Sequence, residues 1–125
     1  MVKIVRQKLN QDDLVSCCAA HFKTFIKFVA DINNNVLAIG GELHADAEAY
    51  LIESGSRQSD IWGGNFYPWK PSAERLEFTS FINIRPRNSN TSMEVMDSEI
   101  RQKMQVLTEN LLLNENETMH VPEPE

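Results

Sequence analysis

Two strand-strand-helix units in succession predict an α+β fold: a four-stranded, mainly antiparallel sheet with about three helices, in the order α-β-β-α-β-β-α. Three observations carry that expectation. Leu14, Cys18 and Phe22 recur at helical spacing, as do Ile100, Met104, Leu107 and Leu111. Asn33-Asn34-Asn35 separates two runs rich in β-branched and apolar residues, as a hairpin loop does. Gly40-Gly41 and Gly55 then bracket a short helical segment. The two halves share no residue pattern, so the duplication concerns topology alone.

The elements follow in order. Residues 2–6, VKIVR, read equally as an edge strand or an ordered arm. Asn10 is placed to cap a helix over Gln11 to His21, with Asp12 and Asp13 favourable to its dipole in the first turn. Thr24 to Ile32 and Val36 to Ile39 read as hairpin strands. The second is apolar on both faces, which places it centrally in the sheet. A helix over His44 to Ser54 stops at Gly55, and the next strand covers Ile61 to Tyr67. Gly63-Gly64 inside that strand signals a bulge or a close approach by another backbone. Arg75 to Ile84 alternates, with Leu76, Phe78, Ile82 and Ile84 on one side, and predicts a half-buried strand. The segment 85–92, RPRNSNTS, predicts an exposed loop. Asp97 or Ser98 caps a last helix that ends near Leu113.

One domain is expected over residues 1–113. Residues 114–125 are polar, acidic and twice interrupted by proline, which predicts a disordered, dispensable tail. Hydrophobic content of 42% and charged content of 24% are ordinary for a soluble globular chain of 125 residues. No apolar run approaches the ~18 residues of a membrane span, and the start lacks a signal peptide's apolar region. A cytoplasmic protein is expected. Net charge is −6, four units of which lie in the tail. So acidic a chain is expected to bind neither nucleic acid nor anionic membrane. Cys17 and Cys18 are neighbours, unable to close an ordinary disulfide loop, and are read as small helix residues.

The run AIGGELHADAE, then GSRQSDIWGGNFYPW, then INIRP is similar to a family of small, functionally uncharacterised prokaryotic proteins, a domain of unknown function. The resemblance spans roughly Val29 to Met104. It implies a cytoplasmic prokaryotic protein and brings no activity, ligand or catalytic residue.

The polar residues around Trp62 define the candidate site. On a helical wheel of ~100° per residue, His44 and Glu48 share one face beside Leu43, Ala47, Tyr50 and Leu51. They could form a pair for proton transfer or supply two metal ligands, or hydrogen-bond each other for structure alone. A zinc site needs three or four ligands, and only Asp60 could supply a third, so no metal is expected. Ser56, Gln58, Asp60 and Asn65 flank Trp62, as polar groups flank the floor of a ligand pocket. Arg85, Arg87, Asn88 and Asn90 could hold an anion, with Arg85 as clamp.

These residues lead to a domain of unknown function that binds a small polar or anionic ligand through His44, Glu48, Gln58, Asp60, Trp62, Asn65 and Arg85. A small enzyme using His44 and Glu48 as acid and base, or a homodimeric interaction protein, would use the same side chains. No motif names a cofactor.

Overall fold

The computed structural model describes residues 1–125. A five-stranded antiparallel sheet lies at its centre, in the spatial order β1-β3-β2-β4-β5. The strands are β1 (Val2–Val5), β2 (Ile26–Asp31), β3 (Val36–Gly40), β4 (Ile61–Phe66) and β5 (Leu76–Glu77). Helices α1 (Gln11–Ala20) and α3 (Ser98–Leu111) cover one face, where Leu14, Cys18, Met104 and Leu107 meet Phe28, Leu37, Ile39 and Trp62. Helix α2 (His44–Glu53) covers the other, with Ala47 and Leu51 against Val29, Ala38 and Ile61. β3 is buried along its whole length between these layers. No helix is long and apolar enough to cross a membrane.

The α+β class stands, with one strand more than the four expected. Val2–Val5 is that strand, pairing from Val2 opposite Gly40 to Val5 opposite Leu37. Four residues carry too little periodicity to declare a strand; the free edge of β3 supplies the partner. Gly40 makes the junction possible. Its φ is +91°, and a Cβ there would lie 2.6 Å from the Met1 carbonyl oxygen.

Helix signals held to within a residue or two. The Asn10 carboxamide accepts from the Asp13 N–H at 2.8 Å, and Asp97 accepts from Glu99 and Ile100. Gly55, at φ +112°, follows α2. The β2–β3 hairpin has Asn35 at φ +58°. Cys17 and Cys18 are free thiols, and burial pushes Cys18 up to about 12.

The long strand expected over Arg75 to Ile84 is corrected to two residues, Leu76–Glu77. Beyond them a side chain takes the ladder's place. The Asn83 carboxamide accepts from the Gly63 N–H at 2.8 Å and donates to the Gly63 carbonyl at 2.9 Å. The alternation breaks accordingly: Phe78 packs on the α1/α3 side, Ile82 on the α2 side, and Ile84 is 44% exposed. The loop expected to be exposed over 85–92 is buried at Arg85 and Asn90. Asn90 donates to the carbonyls of Asn83, Ser92 and Glu94 and accepts from the Met96 N–H. Two buried amides thus hold a long segment whose only regular structure is two single 3-10 turns, Phe81–Asn83 and Pro86–Asn88.

Residues 114–125 contain no helix or strand, and side chains of the body hydrogen-bond to their backbone.

Candidate functional site

β4 is the platform of the site, and its two glycines explain how closely its neighbours approach. Its register with β2 runs unbroken from Ile26 opposite Phe66 to Asp31 opposite Ile61, so there is no bulge. A Cβ on Gly63 would lie 2.8 Å from the Cβ of Ser80, and one on Gly64 would lie 2.5 Å from the Glu77 carbonyl oxygen. Close approach, the other reading of that glycine pair, is what the strand requires.

Arg85 reaches this platform from the base of a tight hairpin. Its N–H donates to the Asn90 carbonyl at 2.7 Å, and the Asn90 N–H returns a bond at 3.1 Å. The side chain is 9% exposed. Its guanidinium carbon lies 4.9 Å from the centre of the Trp62 ring, a cation–π contact, and Nη2 meets a Glu48 carboxylate oxygen at 3.3 Å. Trp62 comes from β4 and Glu48 from α2, so the guanidinium joins two elements across the sheet edge.

That guanidinium is incompletely partnered. Nε and Nη1 are buried without a hydrogen-bond acceptor, and so is the indole Nε1 of Trp62. Buried N–H groups are nearly always paired, and each one left unmet costs about 1–3 kcal/mol. Burial lowers the pKa of Arg85, opposed by the charge and hydrogen bond of Glu48. The arrangement concentrates positive charge and donors around one carboxylate.

His44 does not pair with Glu48. Its Nε2 lies 2.7 Å from the Gly64 carbonyl oxygen, which can only accept, so Nε2 carries the proton and Nδ1 is left as an acceptor. Burial lowers its pKa below the ordinary 6.5; the Gly64 carbonyl opposes that shift, Lys27 adds to it, and Asn65 opposes it. The imidazole is therefore neutral at pH 7. Asn65 donates to Glu77 at 3.2 Å, and its own Oδ1 is buried without a donor. Tyr67 also donates to Glu77, at 2.7 Å.

The structure thus brings Glu48, Trp62 and Arg85 together, and places His44 beside Asn65 one helical turn away. Gln58 is exposed, and Asp60 stands before β4 with its Oδ2 buried, without a hydrogen-bond donor but 3.6 Å from the Arg57 Nε. Ser56 turns away to donate to Asp31. Arg87 and Asn88 are exposed on the hairpin tip. The five main surface depressions do not include Glu48, Trp62 or Arg85. One of about 410 Å³ opens by the start of α2, between Phe22, Lys27 and Leu43. No group of three or more His, Cys, Asp or Glu side chains is arranged to hold a metal ion.

Asp31 and Asn83 escaped sequence reasoning. Asp31, followed by three asparagines at a strand end, had a local signal, because carboxylates there cap turns. Asn83 had none: its partners lie five, ten and twenty residues away, on Phe78, Met93 and Gly63.

The sequence profile of a family described as a protein of unknown function (DUF5674) matches residues 3–111, and the chain belongs to that family. No curated protein and no solved structure matches the chain.

Proposed function

We propose that this domain binds a small ligand through an anionic group, a carboxylate or a phosphate, at Arg85. One observation carries the reading: a guanidinium nine-tenths buried, with two nitrogens lacking acceptors, stacked on an indole whose N–H also lacks one. An anion supplies the missing acceptors, and planar bidentate recognition is what the guanidinium fork favours. Glu48 holds the fork in place through its remaining nitrogen. Asn65, beside His44, has a buried Oδ1 without a hydrogen-bond donor, an acceptor for a donor elsewhere on the ligand.

Arg85 and Trp62 are buried, so on this reading a ligand reaches them by displacing the hairpin Arg85 to Asn90. Its tip, Pro86 to Ser89, is exposed. Acid–base catalysis by a His44–Glu48 pair has less support, since each side chain has another partner.

Calorimetric titration with inorganic phosphate, phosphate monoesters and small carboxylates tests the reading. Saturable binding by the native chain is expected, weakened at least tenfold in Arg85→Lys, which keeps the charge and loses the fork. Binding that survives Arg85→Lys unchanged, or no binding at millimolar anion, refutes it.

A homodimer is the second reading. Phe81, 76% exposed, and Ile84 project from the segment that carries Arg85. A monomeric sedimentation profile at high concentration would end that reading.

A further inference from the structure

Residues 114–125 lie outside the span matched by the family profile, yet the body grips them in a specific way. Arg75, 5% exposed, donates from Nη1 to the Asn114 carbonyl at 3.0 Å and from Nη2 to the Glu117 carbonyl. Gln11 donates to the Thr118 carbonyl at 3.0 Å and accepts from the His120 N–H at 2.9 Å. The Trp69 indole N–H donates to the Val121 carbonyl at 2.7 Å. Each of these bonds reaches the backbone of the segment, not its side chains.

That is how a groove holds an extended peptide. The Gln11 amide bonds positions two apart, as a neighbouring strand would. Trp69 takes the carbonyl just before Pro122. A residue before proline is extended, and an indole N–H is a common donor to such segments. Lys8 pairs with the Glu117 carboxylate, which adds a preference for acid. The hold is loose. A crevice of about 320 Å³ remains between the segment and the wall from Pro68 to Arg75. Every fully buried apolar residue of the core lies at or before Leu113, and Met119 of the segment packs on that core from outside, partly buried.

We propose that Gln11, Trp69 and Arg75 form a binding groove for an extended, acidic, proline-containing peptide, and that residues 114–125 of the chain are its resident, displaceable ligand. An incoming peptide of the same chemistry competes against an intramolecular ligand whose effective concentration is about millimolar. The groove therefore responds only to partners that are abundant or tightly held.

The test uses the full-length chain with residues 114–125 replaced by a Gly/Ser segment of equal length. A fluorescent peptide of residues 114–125 should bind it saturably at one to one. The native chain should bind the same peptide at least tenfold more weakly, and Trp69→Phe in the replaced chain should lower affinity about tenfold, the loss of one hydrogen bond. Failure of the replaced chain to bind, or binding indifferent to Trp69→Phe, overturns the proposal. Failure of the replaced chain to fold also overturns it, because the segment is then a fixed part of the structure. Hydrogen exchange on the native chain decides independently. Amides of His120 and its neighbours should exchange at least a hundredfold faster than those of β2 and β3, and equal protection would refute displacement.

Discussion

Asp31 and Arg85 are both charged, both buried and both at the end of a strand or hairpin, and they differ in what surrounds them. Asp31 is fully buried at the end of β2. Its carboxylate accepts from the N–H groups of Asn33 and Asn34 at 3.0 and 2.9 Å, from the Asn34 amide at 2.8 Å, and from the Ser56 hydroxyl. These bonds hold its pKa below the ordinary carboxylate range, although desolvation alone would raise it. Arg85 has one carboxylate and one ring face, with two nitrogens unmet. A buried charge with a full set of partners belongs to the fold. One with missing partners costs stability, and a chain keeps that cost where the empty positions have a use.

The largest effect should come from removing the satisfied charge. Asp31→Ala leaves four donors without an acceptor and frees both the hairpin and the Ser56 hydroxyl. A loss of about 3 kcal/mol in urea unfolding is expected, since hydrogen bonds to a charged group contribute about 1.5–3 kcal/mol each and solvent recovers part. A loss near zero would mean that partnered burial is no mark of a structural charge.

A smaller effect should follow from pH. The His44 pKa is depressed by folding, so the unfolded chain binds this proton more readily, and stability rises with pH across that window. The stabilisation is complete above the ordinary value of 6.5 and is lost as pH falls below it toward the folded value. For one proton the slope cannot exceed about 1.4 kcal/mol per pH unit. His44→Gln can keep the donor to the Gly64 carbonyl and should flatten the stability profile between pH 7.5 and 5.5. Asp31 has the same sign at more acidic pH: its contribution is lost as pH falls below 3.8. An unchanged slope in His44→Gln would place the imidazole outside the buried environment described.

The smallest effect should come from the unsatisfied charge. Arg85→Met with Glu48→Gln removes both members of the pair and the unmet N–H groups together. Stability should change by less than about 1 kcal/mol in either direction, as when buried ion pairs are replaced by apolar side chains. A loss comparable to that of Asp31→Ala would show that Arg85 is held for the fold and not for a ligand.

How much of this was legible in the chain follows from how far each signal reaches. Asn10, Asp97 and Gly55 mark helix ends, and the asparagine triplet marks the hairpin, because capping and turn chemistry act within a few residues. Val36 to Ile39 read as a covered strand because its apolar residues run without interruption. Trp62, Arg85, His44 and Glu48 drew notice as rare polar or aromatic types near element ends. These features the sequence by itself determined. Only the tertiary structure decided the rest. It paired Val2–Val5 with β3, ended the expected strand at Glu77, and gave His44 to a backbone carbonyl instead of Glu48. It also set the Glu48 carboxylate against a guanidinium from 37 residues away and left two of that group's nitrogens unmet. A helix wheel shows which side chains share a face. Which of them finds a partner depends on what the sheet edge brings across, and no local pattern encodes that.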